Sequence, residues 1–99
     1  MIKKNITDKE KLYQAILSLK DKDECSKFFD DICTIQELDA LVQRLDVACA
    51  LCEGESYNDI NKQTGASTAT ICRVSRALNY GTGGYQTIIE RLKANDEQN

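Results

Sequence analysis

The sequence predicts an all-α protein of six helices, and three observations support this fold class. Capping boxes, in which a Ser, Thr or Asp is followed three residues later by an acid, open several segments. Apolar residues recur at helical spacing inside these segments, and no segment alternates as a strand does. Glycines stand where several predicted helices end. With 99 residues and 41% hydrophobic content, residues 1–99 are expected to form a single domain.

Each predicted helix has a recognisable start or end. The capping box satisfies two amides that a helix leaves without partners. Gly54 and Gly65 are placed to end helices in the left-handed conformation. Residues 1–6 and 95–99 are expected to fray. The predicted helices run from Thr7 (boxed with Glu10) to about Leu19, Asp21 (with Glu24) to about Ile32, Thr34 (with Glu37) to Glu53, Ser56 (with Asp59) to Gly65, Ser67 to about Asn79, and Tyr85 to about Lys93.

The composition indicates a cytoplasmic protein. Charged residues follow Met1 in place of the apolar stretch of a signal peptide, and no run of about 18 apolar residues occurs. We therefore expect a soluble chain without a membrane partner. Five cysteines make an odd count, which favours free thiols over a disulfide framework.

The charges are unevenly distributed along the chain. The formal net charge of −3 argues against strong nonspecific binding to nucleic acid. However, the acids concentrate between residues 21 and 31, whereas from residue 57 to residue 80 Lys62, Arg73 and Arg76 stand against Asp59 alone. The C-terminal half is therefore the part expected to face DNA.

The segment from about Tyr57 to Leu78 has the spacing of a helix-turn-helix. Gly65 is the pivot, because its missing side chain permits the positive φ of a sharp turn. The two helices are expected to bury Ile60, Ile71 and Val74 against each other. Asn61 departs from the pattern, because most such motifs place alanine there to let the helices approach.

If the second helix enters a major groove, the residues at its N-terminus point at the base edges. The small side chains of Thr68 and Ala69 suit contacts with thymine methyl groups, whereas polar side chains beside the turn suit phosphates. The predicted DNA-binding residues are Lys62, Gln63, Ser67, Thr68, Ala69, Thr70, Arg73 and Arg76. Alternatively, Gly65 joins two packed helices that never touch DNA, and these are ordinary capping and surface residues.

The run GASTATICRVSRAL, residues 65–78, resembles the recognition segment of the Trp repressor family. The likeness extends through TIQEL (34–38), QRL (43–45) and LCEGE (51–55). A closer resemblance is to the YerC/YecD family of Trp-repressor-related proteins, in LYQAI (12–16), ASTATI (66–71) and LNYGTGGY (78–85). It covers about residues 8–93, and the glycine-rich stretch after Leu78 is its more specific part.

The resemblance implies a Trp-repressor-like fold and a bacterial transcription regulator, a repressor, that works as an intertwined homodimer. Two copies would interlock through their N-terminal helices and present two recognition helices to successive major grooves. The expected operator is double-stranded DNA with a roughly palindromic site, its half-sites about one helical turn apart. A chain this short also leaves apolar surface that a second copy can cover.

The resemblance also bears on an effector. In the Trp repressor family the corepressor's ring lies between two arginines matched by Arg44 and Arg73, and Thr34 matches a threonine of that pocket. Val74 replaces a glycine, filling space, and Ala77 replaces a serine that helps to hold the ligand's amino group. Tryptophan is therefore a poor ligand, which leaves constitutive binding or a different small-molecule effector. Alternatively, the two arginines contact phosphate or form surface ion pairs.

Other motifs are weaker. Cys49 and Cys52 form C-x-x-C inside a predicted helix, and without histidine or a second pair they favour packing over a metal or redox site. Cys72 on the recognition helix leaves a minor redox-switch hypothesis. The absence of histidine also argues against an enzyme, and no cofactor is expected. The remaining alternative to a DNA-binding regulator is a protein-interaction module that kept this fold, which the acidic balance slightly favours.

Overall fold

The computed structural model describes residues 8–98, and within them the chain forms helices and no strand. This confirms the prediction of an all-α chain of six helices. Their bounds are α1 (Glu10–Leu17), α2 (Lys22–Ile32), α3 (Ile35–Cys52), α4 (Tyr57–Thr64), α5 (Thr68–Tyr80) and α6 (Gly84–Gln98).

The contacts divide the chain into two compact units. The N-terminal unit ends at Leu38, and the C-terminal unit begins at Asp39. Neither α1 nor α2 contains a buried residue. That the chain is a single domain therefore stays a prediction.

The buried core of the described residues lies in the C-terminal unit. The largest fully buried side chains of this core are Ile60, Ile71, Val74 and Val47. The first three belong to the helix-turn-helix, which confirms their predicted burial. Partly buried Cys49, Leu51 and Tyr85 pack against it. The complete cluster is Val47, Ala48, Ala50, Ile60, Ala66, Ile71, Val74 and Ile89.

The predicted cap residues start three of the helices, and the reciprocal box forms at Thr34. The Thr34 hydroxyl accepts from the Glu37 amide at 3.1 Å, and the Glu37 carboxylate accepts from the Thr34 amide at 2.8 Å. Asp21 accepts from the Glu24 amide at 2.9 Å. Ser56 caps α4, where its hydroxyl accepts from the Asp59 amide at 3.1 Å. These bonds fix the start of each helix because they satisfy amides of the first turn.

The first helix is shorter than predicted. Thr7 lies outside the described residues, and Lys9 occupies the N-cap position without a side-chain cap. The helix ends at Leu17 instead of Leu19, because the Ser18 hydroxyl donates to the Ala15 carbonyl at 2.7 Å, which competes with continuation of the helix.

The last helix is longer than predicted. It begins at Gly84 and continues to Gln98, past the predicted end at Lys93. The segment after Lys93 contains neither glycine nor proline, so nothing in it breaks the helix. Residues 95–98, which are expected to fray from the sequence, are instead helical.

Large apolar side chains remain exposed in both units. In the N-terminal unit the exposed fraction reaches 84% at Leu17 and 78% at Ile35. In the C-terminal unit it is 54% at Val42 and 86% at Tyr80. Among the helices of residues 8–98, none has both the length and the apolar character that a membrane span requires.

Candidate nucleic-acid interface

The turn between α4 and α5 has the predicted conformation. Gly65 lies in the left-handed region with φ of 74°, and its amide donates to the Asn61 carbonyl at 2.8 Å. Ser67 then caps α5, because its hydroxyl accepts from the Thr70 amide at 3.1 Å. Both ends of the turn are thus fixed by local hydrogen bonds, and Ile60 on α4 and Ile71 on α5 are buried on their inner sides.

The outer side of α5 carries five exposed residues, which we name the recognition face: Thr68, Ala69, Cys72, Arg73 and Arg76. They recur at helical spacing, opposite the buried Ile71 and Val74. Four of them were predicted to bind DNA. Cys72 was not, although its position one turn after Thr68 places it on the same face.

Two predicted DNA-binding residues hydrogen-bond to each other at the start of α5. The Ser67 hydroxyl lies 3.2 Å from the Thr70 hydroxyl, in addition to its capping bond. Thr70 is half-buried, and Ser67 is exposed. Both side chains therefore organise the first turn of α5.

The two predicted residues of α4 differ in their surroundings. Lys62 is exposed. Gln63 is also exposed, but its amide donates to the Glu55 carboxylate at 2.6 Å. Gln63 also lines a hollow of about 280 Å³ with Asp46, Glu53 and Glu55. Those carboxylates repel phosphate, which makes Lys62 the better placed of the two for a DNA contact.

The guanidinium groups of the recognition face are not neutralised. Among the residues described, the ion pair formed is that of Lys27 and Asp23, 2.9 Å apart on α2. Arg73 and Arg76 are both exposed. Their positive charge is therefore available to an anionic partner.

Arg44 and Arg73, proposed above as part of an effector pocket, lie together. They line a hollow of about 210 Å³ between α3 and α5. The Arg44 Nε donates to the Ala40 carbonyl at 3.2 Å, which orients the guanidinium. The remaining lining residues are Ala40, Gln43 and Thr70.

The other three residues of the predicted pocket have different surroundings. Val74 is 1% exposed and belongs to the core, as its branched side chain suggested. Ala77 lines a separate, mostly apolar cavity of about 600 Å³ with Leu45, Tyr85 and Ile88. Thr34 caps α3 in the N-terminal unit. Within the C-terminal unit, Arg44 and Arg73 are thus the predicted pocket residues that line one hollow.

Asn61, which departs from the usual alanine, forms a hydrogen bond that the sequence did not reveal. Its side-chain amide donates to the carbonyl of Ala66 in the turn, with the two atoms 2.8 Å apart. Asn61 precedes Ala66 by five residues, and this short separation is the only signal of the bond in the sequence. It indicates a contact only because the positive φ of Gly65 bends the chain back.

The C-x-x-C cysteines show no feature of a reactive site. Burial, followed by the nearby Asp46 carboxylate, raises the pKa of the Cys49 thiol, which disfavours the thiolate. All five cysteines are free. In the described part of the chain no group of three potential metal ligands occurs.

Comparison with known proteins identifies relatives of this arrangement. The profile of the family described as Trp repressor protein matches residues 7–93. The uncharacterised protein YerC of Bacillus subtilis (strain 168) is 52% identical over 89 residues, which cover 90% of this chain and 86% of YerC.

Two solved structures share the fold. A TrpR-like protein from Eubacterium eligens ATCC 27750 is 58% identical with a TM-score of 0.83, and the match covers 85% of this chain and 87% of that one. A proposed Trp repressor from Staphylococcus aureus is 45% identical, also with a TM-score of 0.83, over 85% of this chain and 84% of its own. The six-helix architecture is therefore the Trp-repressor fold.

Proposed function

The chain belongs to the Trp repressor protein family, and from this membership we propose that it is a dimeric transcription regulator, a repressor, that binds double-stranded DNA sequence-specifically. We propose further that it binds without tryptophan. The recognition face carries this proposal. It is an exposed helical surface that presents small side chains at its N-terminal end and two unpaired arginines behind them, as a helix that reads a major groove requires.

The residues of the interface have separate roles in this proposal. Thr68 and Ala69 lie nearest the start of α5 and would contact base edges. Arg73, Arg76 and Lys62 would bind phosphates, and they supply the positive charge that the chain as a whole lacks. The remaining predicted contacts, Gln63, Ser67 and Thr70, would act from beside the turn.

The homodimer is supported by apolar side chains that each single chain leaves in water. Leu17 on α1 is 84% exposed, and Val42 on α3 is 54% exposed. Covering such side chains removes apolar surface from water, and a two-fold symmetric pair covers the same surface on both copies at once. A dimer also supplies the second recognition helix that a palindromic operator needs.

Independence from tryptophan is supported by Val74 and Ala77. Val74 is 1% exposed, so its branched side chain fills space in the core that the family's glycine would leave open. Ala77 offers no hydroxyl to the amino group of the ligand, and an ammonium buried without an acceptor costs free energy. We propose that operator binding is constitutive or responds to a different small-molecule effector.

The test is selection of bound sequences from a random duplex pool at physiological salt, with and without tryptophan. The proposal expects the same palindromic sequence to be enriched in both arms. Enrichment only with tryptophan would contradict the proposed independence. A lack of enrichment in both arms would exclude constitutive binding and favour either a different effector or the alternative, a protein-interaction module, which the net charge of −3 supports.

A further inference from the structure

Two side-chain amides donate hydrogen bonds to the turn of the helix-turn-helix, one from α3 and one from α4. Gln43 on α3 donates through Nε2 to the Thr64 carbonyl at 3.1 Å. Asn61 on α4 donates through Nδ2 to the Ala66 carbonyl at 2.8 Å. Thr64 is the last residue of α4, and Ala66 lies in the turn. The carbonyls of both residues therefore lack the backbone amide that would bind them inside a helix. We call Gln43 and Asn61 the amide brace.

The Thr64 hydroxyl adds two further hydrogen bonds at the turn. The Thr64 hydroxyl donates to the Ile60 carbonyl at 2.7 Å and accepts from the Ala66 amide at 3.1 Å. The Ala66 side chain is 1% exposed and packs in the core. The Ala66 methyl group therefore anchors the turn in the core, and the amide brace restricts rotation of the turn about this contact.

We propose that Asn61 and Gln43 are positioning residues, which fix the direction of α5 relative to α4 and thereby determine how well the chain distinguishes its operator from other DNA. This inference rests on the proposed function. Contacts with base edges depend on direction as well as distance, and Thr68 begins α5 two residues after Ala66, whose carbonyl the brace binds. Asn61 need not touch DNA to act in this way.

A first experiment needs no DNA. Amide hydrogen exchange is measured by NMR on the full chain and on Asn61→Ala, Gln43→Ala and Asn58→Ala. Alanine favours helix, so α4 should persist in the variants. Loss of one hydrogen bond should speed exchange of the Gly65 and Ala66 amides about three- to tenfold. Asn58 is an exposed asparagine of the same helix, and its replacement should leave those rates unchanged. Wild-type rates in both brace variants would overturn the inference.

A second experiment compares affinity for a duplex enriched by the wild-type chain with affinity for a random duplex. Asn61→Ala should lower the first about three- to tenfold and leave the second unchanged, because nonspecific binding depends mainly on phosphate charge. Asn58→Ala should change neither. Equal losses on both duplexes would instead assign Asn61 a direct backbone contact and overturn the positioning role.

The two experiments separate this inference from the proposed function. If the wild-type chain prefers no duplex, sequence-specific binding fails, and the exchange rates alone decide whether the brace holds the turn. If exchange accelerates in Asn61→Ala but the preference between duplexes is unchanged, DNA binding stands and the positioning role is wrong.

Discussion

At the scale of single residues, the chain places two positive side chains together on one helix although its net charge is negative. Arg73 and Arg76 are exposed on the recognition face, while the net charge is −3. Local charge determines phosphate binding because salt screens charges farther than about 10 Å away. The position of an arginine should therefore affect DNA affinity more than the number of arginines in the chain does.

Replacing Arg73 by alanine should weaken DNA binding about tenfold and reduce the slope of log affinity against log salt by about 1, if one phosphate contact is lost. Arg91→Ala on α6 removes the same charge away from the recognition face. It should have a much smaller effect on both quantities. Fluorescence anisotropy of a labelled duplex over a salt series measures them, and equal effects of the two substitutions would show that α5 has no special role.

The Cys49 thiol should be slow to react at neutral pH. Burial and the Asp46 carboxylate raise its pKa, so less of it is thiolate than in a free cysteine. Alkylation followed by mass spectrometry over a pH series should give Cys49 a midpoint above the ordinary value. Asp46→Asn should lower that midpoint because it removes a like charge. A midpoint at or below the ordinary value in the unaltered chain would contradict this explanation.

Sequence patterns identified residues whose role is local. Ser67 as a cap and Gly65 as a left-handed pivot depend on backbone groups within a few positions, and the structure contains both. Gln43, which binds the Thr64 carbonyl 21 residues away, could not be identified in this way. Gln63 is predicted to bind DNA because the sequence shows only a polar side chain beside the turn, whereas its bond to Glu55 depends on the fold.

At the scale of elements, a steric contact explains the glycine that follows α5. Gly81 has φ of −86°, outside the left-handed region that favours glycine. However, a Cβ built on it would lie 2.3 Å from the Ala77 carbonyl oxygen. The chain must therefore shift at this point if any side chain is added.

Gly81→Ala should lower the free energy of unfolding by about 1–3 kcal/mol, as overpacking commonly does. Gly84 provides the matched control, because a Cβ there meets nothing within 4 Å and the residue begins α6. Gly84→Ala should be neutral or stabilise by about 0.5 kcal/mol. Urea unfolding at one protein concentration measures both, and equal stabilities of the two variants would disprove the steric explanation.

The helix ends were predicted where a specific signal marks them. Boxes at Thr34 and Ser56 and the glycine after Thr64 gave the bounds of α4 and the start of α3. The ends of α1 and α6 carry no such signal. Ser18 ends α1 through a side-chain bond to its own helix, and the length of α6 depends on residues that are compatible with either helix or coil.

At the scale of the whole molecule, a single chain gives no reason for the exposure of apolar residues on α1. Leu17→Glu should lower the population of dimers, because it places a charge on a surface that is proposed to be covered. Gln14→Glu adds the same charge at a polar position of the same helix and should leave the dimer intact. Sedimentation velocity distinguishes the 11.1 kDa chain from its dimer. A monomeric wild-type chain, or a Leu17→Glu variant that is still fully dimeric, would contradict this arrangement.

The pairing of two recognition faces is the central claim about the molecule, and the spacing of the operator tests it most directly. The measurement is the affinity for the selected palindromic duplex and for the same duplex with about five base pairs, half a helical turn, inserted between its half-sites. We predict that the insertion reduces affinity to that of a random duplex, because the second half-site then faces away from the second recognition helix. Equal affinity for the two duplexes would contradict a dimer that reads both half-sites at once.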